Sequence, residues 1–498
     1  MTYLRLWRLI KRVCQRIWSK VVKNLEELFI QSKNPSIVWI TAKFIEDKIG
    51  GQYYSTDYIE YERILKTNKL TVLKDVISEY NGGPMGFQLH SYDYLDQGVP
   101  VLRTKDMKEL TIILDDPIFI SQEKHNELKG SKTYPGDIII SKTGQIGVVA
   151  VVPKTLNEAN LNQALCNIRV KEGIIDNYFL AVFLNSKYGQ YQFIRQGEGK
   201  AVQNGLTKDE ILDLQIPVIS PEIQKYIGDK VRKAEELREE AKRLKKDAEE
   251  ILSEKLNLKE LLLKINKYID KYNWISNLDI DDRIDALYYN PQKTIIRKFY
   301  NKKYDLQKLN ALVDYKKGFA FKSEDYCSKN TNTLLLRVSD ISNDEVNMDN
   351  MINLPDRFYQ EYIDFNLLNE DIVLVVTGTT GKSVIINNSK SRLLLNQNAL
   401  RMRLKDGVNV NPYYIELILQ SQYFQILLKY SLYQSVQPFI SMEFLNEVMI
   451  PIIDKVDMEE ISNLYKKSLN NLFYAKQLIQ EAKQDVEDLI EGNFDSQK

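Results

Sequence analysis

Two glycine-containing turns carry side chains that suit contacts with phosphate groups and base edges. Lys142-Thr143-Gly144-Gln145 follows one short apolar segment, and Thr379-Thr380-Gly381-Lys382 follows another. Glycine lets a backbone approach a phosphate closely, while lysine and threonine supply hydrogen-bond donors. The sequence therefore predicts polar contacts from Lys142, Thr143, Gln145, Thr379, Thr380 and Lys382, and an ordinary hairpin turn is the equal alternative.

Two later polar loops carry side-chain amides, which can bind adenine through a pair of hydrogen bonds. Capping of a following helix or strand is the alternative role for such residues. The predicted contact residues of these loops are Lys200, Gln203, Asn204, Gln434 and Gln437. Four other polar pairs are predicted to stabilise the fold by ion pairs or backbone hydrogen bonds: Arg103 with Asp106, Arg337 with Asp340, Asn162-Gln163, and Asn396-Gln397.

The composition gives little support to catalysis by this chain. It has two histidines, His90 and His125, and three widely spaced cysteines, Cys14, Cys166 and Cys327. So few histidines argue against a histidine triad or a zinc site. The cysteines form no metal or disulfide pattern and are interpreted as reduced thiols of a cytoplasmic protein.

Three motifs resemble catalytic sites, but each lacks a part that the chemistry needs. The segment 378–383 resembles a phosphate loop, yet Val376 stands where the first glycine belongs. Asn411-Pro412-Tyr413-Tyr414 lacks the second proline of a base-methylating site, and no glycine-rich motif for a methyl donor accompanies it. The acidic cluster 279–282 is better explained as a solvated turn or a helix cap than as nuclease carboxylates. The sequence thus predicts no catalytic and no metal site.

The 498 residues are enough for two to four domains. Lys+Arg and Asp+Glu are equal at 68 each, which argues against a bulk polycation but allows one basic face. No apolar run reaches transmembrane length. Residues 1–36 are predicted to form an amphipathic helix that packs on the rest of the protein, and a DNA- or membrane-surface helix is the alternative.

An internal duplication with an offset of 234–235 residues is the most informative feature. The period is far longer than that of a solenoid, so each copy is a whole domain plus a spacer. Matches include Gly136-Asp137-Ile138 with Glu370-Asp371-Ile372, Arg169 with Arg403, Val202-Gln203 with Val436-Gln437, and Ile216-Pro217 with Ile450-Pro451.

Within each copy, short strands rich in Val, Ile and Leu are separated by glycine turns and followed by a helix. The predicted strand pairs are 137–141 with 148–152 and 371–376 with 384–386, and the predicted helices are 178–185 and 413–420. This order predicts an α+β fold with two duplicated domains, each containing small mixed or antiparallel sheets.

Each copy ends in a long helix with a seven-residue repeat of small and apolar residues. The repeat residues are Ile227, Ala234, Ala241 and Ala248 in copy one, with Leu237, Leu244 and Ile251 three residues later, and Ile461, Ser468, Ala475, Ala482 and Leu489 in copy two, with Leu464 and Leu478. Matching heptads predict that the helices pair as an antiparallel coiled coil, and packing of each helix on its own domain is the alternative.

The order of these motifs, present twice, resembles the specificity subunits of type I restriction–modification systems. The resemblance covers about residues 37–492. It departs from the family pattern at Gly50-Gly51, where the second copy has Asp285-Ala286. The motifs are the segments 282–289, 317–326 and its weaker partner 85–94, together with the Gly-Asp-Ile strand, the Gly-x-x-Gly turn, Asn-Gln and Ile-Pro.

The resemblance implies target-recognition domains at 37–219 and 272–456, spacer helices at 220–271 and 457–492, and a tail at 493–498. It implies a non-catalytic subunit for phage defence that reads a bipartite, asymmetric sequence in double-stranded DNA. Two methyltransferase subunits and a nuclease–translocase subunit would be its partners, and S-adenosylmethionine would bind to the methyltransferase. The paired helices would act as a ruler, since about 35 helical residues span about 50 Å.

A coiled-coil scaffold with duplicated protein-binding domains is the rival interpretation, and the zero net charge favours it slightly. DNA binding predicts an affinity that falls steeply with salt, and a protein-binding scaffold does not. If the helices set the spacing, four residues inserted into the helix at 230–250 would lengthen it by about 6 Å. The gap between the DNA half-sites would then grow by one or two base pairs.

Overall fold

The computed structural model describes residues 52–495, apart from 109, 198–204, 268–273, 277–279, 281–288, 302, 343–344, 349–350, 390 and 430–438. The predicted N-terminal helix lies outside the described residues. Two compact units divide the chain, Met1–Val231 with Ile479–Lys498 (unit 1) and Arg232–Leu478 (unit 2). Both divisions fall inside long helices, so the predicted domain boundaries stay predictions. Among the described residues, no helix is long and apolar enough to cross a membrane.

The strands of unit 1 are β1 Leu70–Val72, β2 Ile77–Gly82, β3 Val99–Leu102, β4 Met107–Lys108, β5 Thr111–Ile112, β6 Phe119–Ile120, β7 Lys132–Thr133, β8 Ile138–Ser141, β9 Val149–Val151, β10 Ala159–Leu161, β11 Leu165–Val170 and β12 Gln215–Pro217. Its helices are α1 Thr56–Leu65, α2 Leu73–Val76, α3 Gln122–Glu127, α4 Asn177–Asn185, α5 Lys187–Gly197, α6 Lys208–Leu212 and the first part of α7 Pro221–Lys255.

The helices of unit 2 after α7 are α8 Leu258–Lys267, α9 Pro291–Asn301, α10 Leu309–Leu312, α11 Phe358–Glu361, α12 Pro412–Gln420, α13 Gln422–Lys429, α14 Met442–Glu447 and most of α15 Lys455–Glu491. Its strands are β13 Asp305–Lys308, β14 Val313–Lys317, β15 Thr333–Leu336, β16 Ile352–Leu354, β17 Asn366–Leu367, β18 Ile372–Val375, β19 Ser383–Ile385, β20 Arg392–Leu395, β21 Ala399–Leu404 and β22 Met449–Ile452.

The two units repeat the same sheets. Unit 1 has an antiparallel sheet of order β2-β11-β8-β9, and unit 2 has one of order β14-β21-β18-β19. Each unit also has a mixed sheet, of order β6-β3-β10-β7 in unit 1 and β16-β15-β20-β17 in unit 2. The two central strands of each mixed sheet are parallel. The register repeats too, because Ile138 pairs with Val151 and Ile372 with Ile385. The predicted α+β duplication is thus confirmed.

Burial on both faces explains why the central strands are continuous apolar runs. In β18, Ile372 and Leu374 pack in a core with Tyr414 of α12. The alternate residues Val373 and Val375 pack in a second core shared with the mixed sheet. All four residues of β8 are buried as well. Because both faces of these strands are buried, the turn at the end of each strand is the part that a ligand can reach.

The long helices α7 and α15 contain 35 and 37 residues and run antiparallel within each unit. In unit 1, the Tyr226 ring contacts Phe494, and Lys230 pairs with Asp485 at 2.6 Å. In unit 2, the Ser468 hydroxyl donates to the Ala241 carbonyl at 2.7 Å, and Lys255 pairs with Asp457 at 2.7 Å. The predicted antiparallel coiled coil is confirmed, and its small residues allow the close approach.

The second buried position of the repeat in α15 differs from the sequence interpretation, whereas the predicted Leu244 of α7 is buried. In α15, Ile479 and Val486 lie four residues after Ala475 and Ala482 and are fully buried, while the predicted Leu464 and Leu478 are half-buried. The predicted central helix is also interrupted, because Asn257 has a positive φ of 51° between α7 and α8. Asparagine tolerates this left-handed conformation better than most residues.

Candidate DNA interface

In unit 1, the predicted turn between β8 and β9 is fixed by its own hydrogen bonds. Gly147 N donates to the Ser141 carbonyl at 2.9 Å, and Val148 N donates to the Ser141 hydroxyl at 2.8 Å. Gly144 and Gly147 adopt positive φ angles of 72° and 81°, which side chains rarely allow. Gln145 projects from this rigid turn as an exposed side chain.

Lys142 is held at the start of the same turn. Its N–H donates to Ala164 at 2.8 Å, and its carbonyl accepts from Leu206 N at 2.8 Å. The side chain is half-buried beside the Cys166 thiol. Burial raises the pKa of Cys166 to about 11, although Tyr80 and Lys142 act to lower it. The thiol therefore stays protonated at neutral pH and is not a nucleophile.

The corresponding turn of unit 2 lies between β18 and β19. Gly381 N donates to the Val375 carbonyl at 3.0 Å, in the way that Gly147 N donates to Ser141. Gly378 and Gly381 again have positive φ angles, 97° and 90°. Thr379 and Lys382 are exposed, and the Thr380 hydroxyl donates to the Gly378 carbonyl at 3.2 Å. Both turns are therefore exposed, rigid and equivalent in backbone.

The lysines of the two turns do not correspond. Val376 takes the backbone position of Lys142, because it donates to Asn398 at 3.0 Å and accepts from Ile440 N at 3.0 Å. Lys382 follows the second glycine, where unit 1 has Val148. The sequence predicts contacts from both lysines, and the structure places them at opposite ends of equivalent turns. Such a difference would give the two turns different contact patterns.

Two glutamines that the sequence analysis missed hold these turns in place. Gln190 of α5 donates to the Gly147 carbonyl at 2.8 Å, and Gln425 of α13 donates to the Gly381 carbonyl at 3.2 Å. The same helices leave no room for a side chain, since a Cβ on Gly381 would lie 2.3 Å from Leu428 Cδ2. The duplication offset could have identified both glutamines as a matched pair.

The other predicted contact residues, Lys200, Gln203, Asn204, Gln434 and Gln437, lie outside the described residues. Structural roles predicted for the remaining polar pairs are confirmed for both arginine–aspartate pairs and for the asparagines Asn162 and Asn396. Arg103 pairs with Asp106 at 3.0 Å and Arg337 with Asp340 at 3.1 Å. The side-chain oxygens of Asn162 and Asn396 accept from backbone N–H groups two residues later.

The sequence alignment of Gly86 with Gly318 is wrong. Gly83 is the counterpart of Gly318, because each donates to the equivalent residue of β11 or β21, Leu165 or Ala399. A Cβ on Gly83 would lie 1.8 Å from the Asn162 carbonyl oxygen, and one on Gly318 would lie 2.2 Å from that of Asn396. Between this glycine and the next turn that both units share, unit 1 therefore has three residues more than unit 2.

A family model described as the type I restriction modification DNA specificity domain matches residues 73–249. This part of the chain, about a third of its length, is similar to the type I restriction–modification specificity family. The match spans both four-stranded sheets of unit 1, the turn that carries Lys142 and most of α7. Unit 2 repeats the sheet order and turns of unit 1 and thus carries a second copy of the specificity-domain fold.

The EcoBI specificity subunit of the type I restriction enzyme from Escherichia coli is 26% identical over 171 residues. The match covers 34% of this chain and 35% of that relative, so the chain aligns with about a third of the relative's length. Solved structures include the S subunit from M. genitalium, with 11% identity over 86% of this chain and 96% of that chain and a TM-score of 0.42. The HsdS subunit from Thermoanaerobacter tengcongensis has 13% identity over 86% and 97%, with a TM-score of 0.28.

Proposed function

We propose that this chain is a type I specificity subunit that reads a bipartite, asymmetric target in double-stranded DNA for a restriction–modification complex. The supporting observation is the presence of two copies of one domain, each with an exposed and rigid turn at the same place. A turn that is already ordered loses little conformational entropy when it binds. Two such readers in one chain suit two half-sites.

The two half-sites should differ in sequence. Unit 1 presents Lys142 and Gln145, and unit 2 presents Thr379 and Lys382, on equivalent backbones. Phosphate contacts fix the position of a protein on the duplex, and contacts with base edges carry the specificity. Different side chains on the same scaffold therefore support an asymmetric target.

The chain would supply recognition and its partners the chemistry. By family resemblance, two methyltransferase subunits with bound S-adenosylmethionine and a nuclease–translocase subunit would join it in the cytoplasm. A role without catalysis agrees with the protonated Cys166 and with the incomplete catalytic motifs of the sequence. The exposed faces of α7 and α15 would dock these partners.

Selection from a library of random DNA duplexes tests the proposal directly. The full chain with its methyltransferase partner should retain duplexes that share two short sequences at a fixed spacing. Affinity should fall steeply between low and physiological salt. Mapping methylated bases in a host genome with and without the gene should find adenines on opposite strands of the same split motif. Failure to retain any duplex, or retention without salt dependence, would sink the proposal.

We expect replacement of Lys382 by Gln to weaken binding to all duplexes alike. Loss of one phosphate contact lowers the slope of log affinity against log salt by about 1. The measurement is a titration of labelled duplex at several salt concentrations. Lys303→Gln is the matched control, since Lys303 is an exposed lysine of the same unit that pairs with Glu260 and lies outside both turns and both long helices. An unchanged slope for Lys382→Gln, or an equal change for the control, would remove Lys382 from the interface.

A further inference from the structure

The three extra residues of unit 1 place apolar side chains on the surface. Met85, Phe87 and Tyr92 are 65%, 72% and 77% exposed. Burying a side chain such as Phe stabilises a protein, so a fold does not gain by exposing several together. Clusters of exposed apolar residues mark surfaces that bind something.

The segment from Pro84 to Tyr94, here called the apolar loop, is ordered rather than loose. Met85 N donates to the Gln88 side-chain oxygen at 2.8 Å, and Gln88 N donates to the Met85 carbonyl at 2.8 Å. Leu89 is 7% exposed and anchors the loop in a core with Val99 and Ile120. The loop therefore presents Met85 and Phe87 in one fixed arrangement.

The second end of the apolar loop is equally constrained. His90 N donates to the Asp93 carboxylate at 2.8 Å. The rings of His90 and Tyr92 stack, with their centroids 4.8 Å apart. Asp93 also lies 3.7 Å from Lys124, so its charge is compensated within the fold. The backbone of the apolar loop is thus held by hydrogen bonds near both of its ends.

Unit 2 has no equivalent of this exposed surface among its described residues. Between Gly318 and Lys322 it has only Phe319, Ala320 and Phe321. Both phenylalanine rings contact the ring of Tyr362, with distances of 4.7 and 5.0 Å between ring centroids. The shorter segment turns its aromatic residues into the domain, and the longer one of unit 1 turns them out.

Positive charge flanks the start of the apolar loop. The Lys142 ammonium lies 3.5 Å from where a Cβ on Gly82 would stand. Lys208 lies over the Tyr80 ring at 5.3 Å, two residues before Gly82 in β2. In the part of the chain that the structure describes, neither lysine forms an ion pair. Met85 follows Gly83 by two residues, which limits their separation to about 7 Å.

We propose that Met85 and Phe87 form a wedge that inserts at a base step of the half-site read by unit 1. This inference rests on the proposed function and adds a contact that unit 2 does not make. An apolar wedge beside unpaired lysines suits DNA, because phosphates bind the lysines while bases meet the apolar side chains. Proteins with such wedges unstack a base step and kink the duplex by about 20–90°.

The test uses the duplex that the full chain selects from the random library, labelled at its two ends with a fluorescent donor and acceptor. The wild-type protein should bring the ends closer, and Phe87→Ala should lose this change. Stacking of an aromatic side chain on a base contributes about 1–3 kcal/mol, so we expect an affinity loss of about 5-fold to 150-fold for Phe87→Ala. The salt slope should stay unchanged, because Phe87 neutralises no phosphate.

Ile174→Ala is the matched control, since Ile174 is 57% exposed in the same unit but lies outside the apolar loop. It should leave both energy transfer and affinity at wild-type values. Phe87→Ala binding within two-fold of wild type, with the same energy transfer, would overturn the wedge while the proposed function stands. A wild-type protein that selects no duplex would instead overturn the proposed function.

Discussion

Replacing Asp371 with Ala should lower the free energy of unfolding of unit 2 by about 3 kcal/mol. The Asp371 carboxylate is 2% exposed and accepts from Arg403 Nη2 at 2.6 Å and Nε at 2.7 Å. It also accepts from Leu368 N at 2.7 Å. Removing one member of a buried ion pair costs about 3–5 kcal/mol, because the other charge is left without its partner. The partial exposure of Arg403 places the expected value at the lower end.

A second arginine makes this site more sensitive than its counterpart in unit 1. Burial lowers the pKa of Arg401, and the charge of Arg403 lowers it further, while Asp371 acts against both effects. In unit 1, Asn167 stands at the corresponding position of β11, and Arg169 also pairs with Glu79 at 2.7 Å. Asp137→Ala should therefore destabilise its unit less than Asp371→Ala does.

Chemical denaturation followed by circular dichroism measures both effects, and the two units can give separate transitions. Asp314→Ala is the control, because Asp314 is exposed and lies 3.8 Å from Lys405, so it should change stability by less than about 0.5 kcal/mol. An Asp371 variant as stable as this control would contradict the argument. A smaller loss in the double variant Asp371→Ala, Arg403→Met would support it, since no unpaired Arg403 charge then remains.

Features that depend on burial could be predicted from the sequence. The apolar runs at 137–141 and 371–376 became β8 and β18 within two residues, because a strand covered on both faces has apolar residues throughout. The heptad residues of α7 and α15 were likewise identified, since Ala241 and Ala475 are fully buried. The duplication made each interpretation stronger by presenting it twice.

Features that depend on backbone geometry could not be predicted. The four-residue step from Ala475 to Ile479 depends on how two helices cross, which heptad counting does not contain. The true counterpart of Gly318 is Gly83, and only the close approach to a neighbouring carbonyl reveals it. DNA contact by the predicted site residues stays a prediction, because it depends on the geometry of the loops.

The antiparallel helices also change how the spacer should be tested. Four residues inserted into α7 alone would move Ala241 out of contact with Ser468, whose hydroxyl donates to its carbonyl at 2.7 Å. The insertion should therefore be made in both helices, between residues 232 and 239 of α7 and between 470 and 477 of α15. A four-residue insertion into a heptad repeat locally unwinds a coiled coil, so matched insertions in both helices keep the original contacts on either side of the added turn.

With both insertions, we expect the gap between the half-sites to grow by one or two base pairs while the half-sites keep their sequences. One added helical turn lengthens each helix by about 6 Å and rotates it by about 40°. The added length is close to the rise of two base pairs, about 7 Å, and the added rotation is close to the twist of one base pair, about 35°. Length and rotation together therefore favour a gap that is longer by one or two base pairs. Selection from random duplexes measures the new gap, and the insertion in α7 alone is the control, which should weaken binding without a defined new gap. An unchanged gap in the double insertion, or altered half-sites, would show that the helices do not set the spacing.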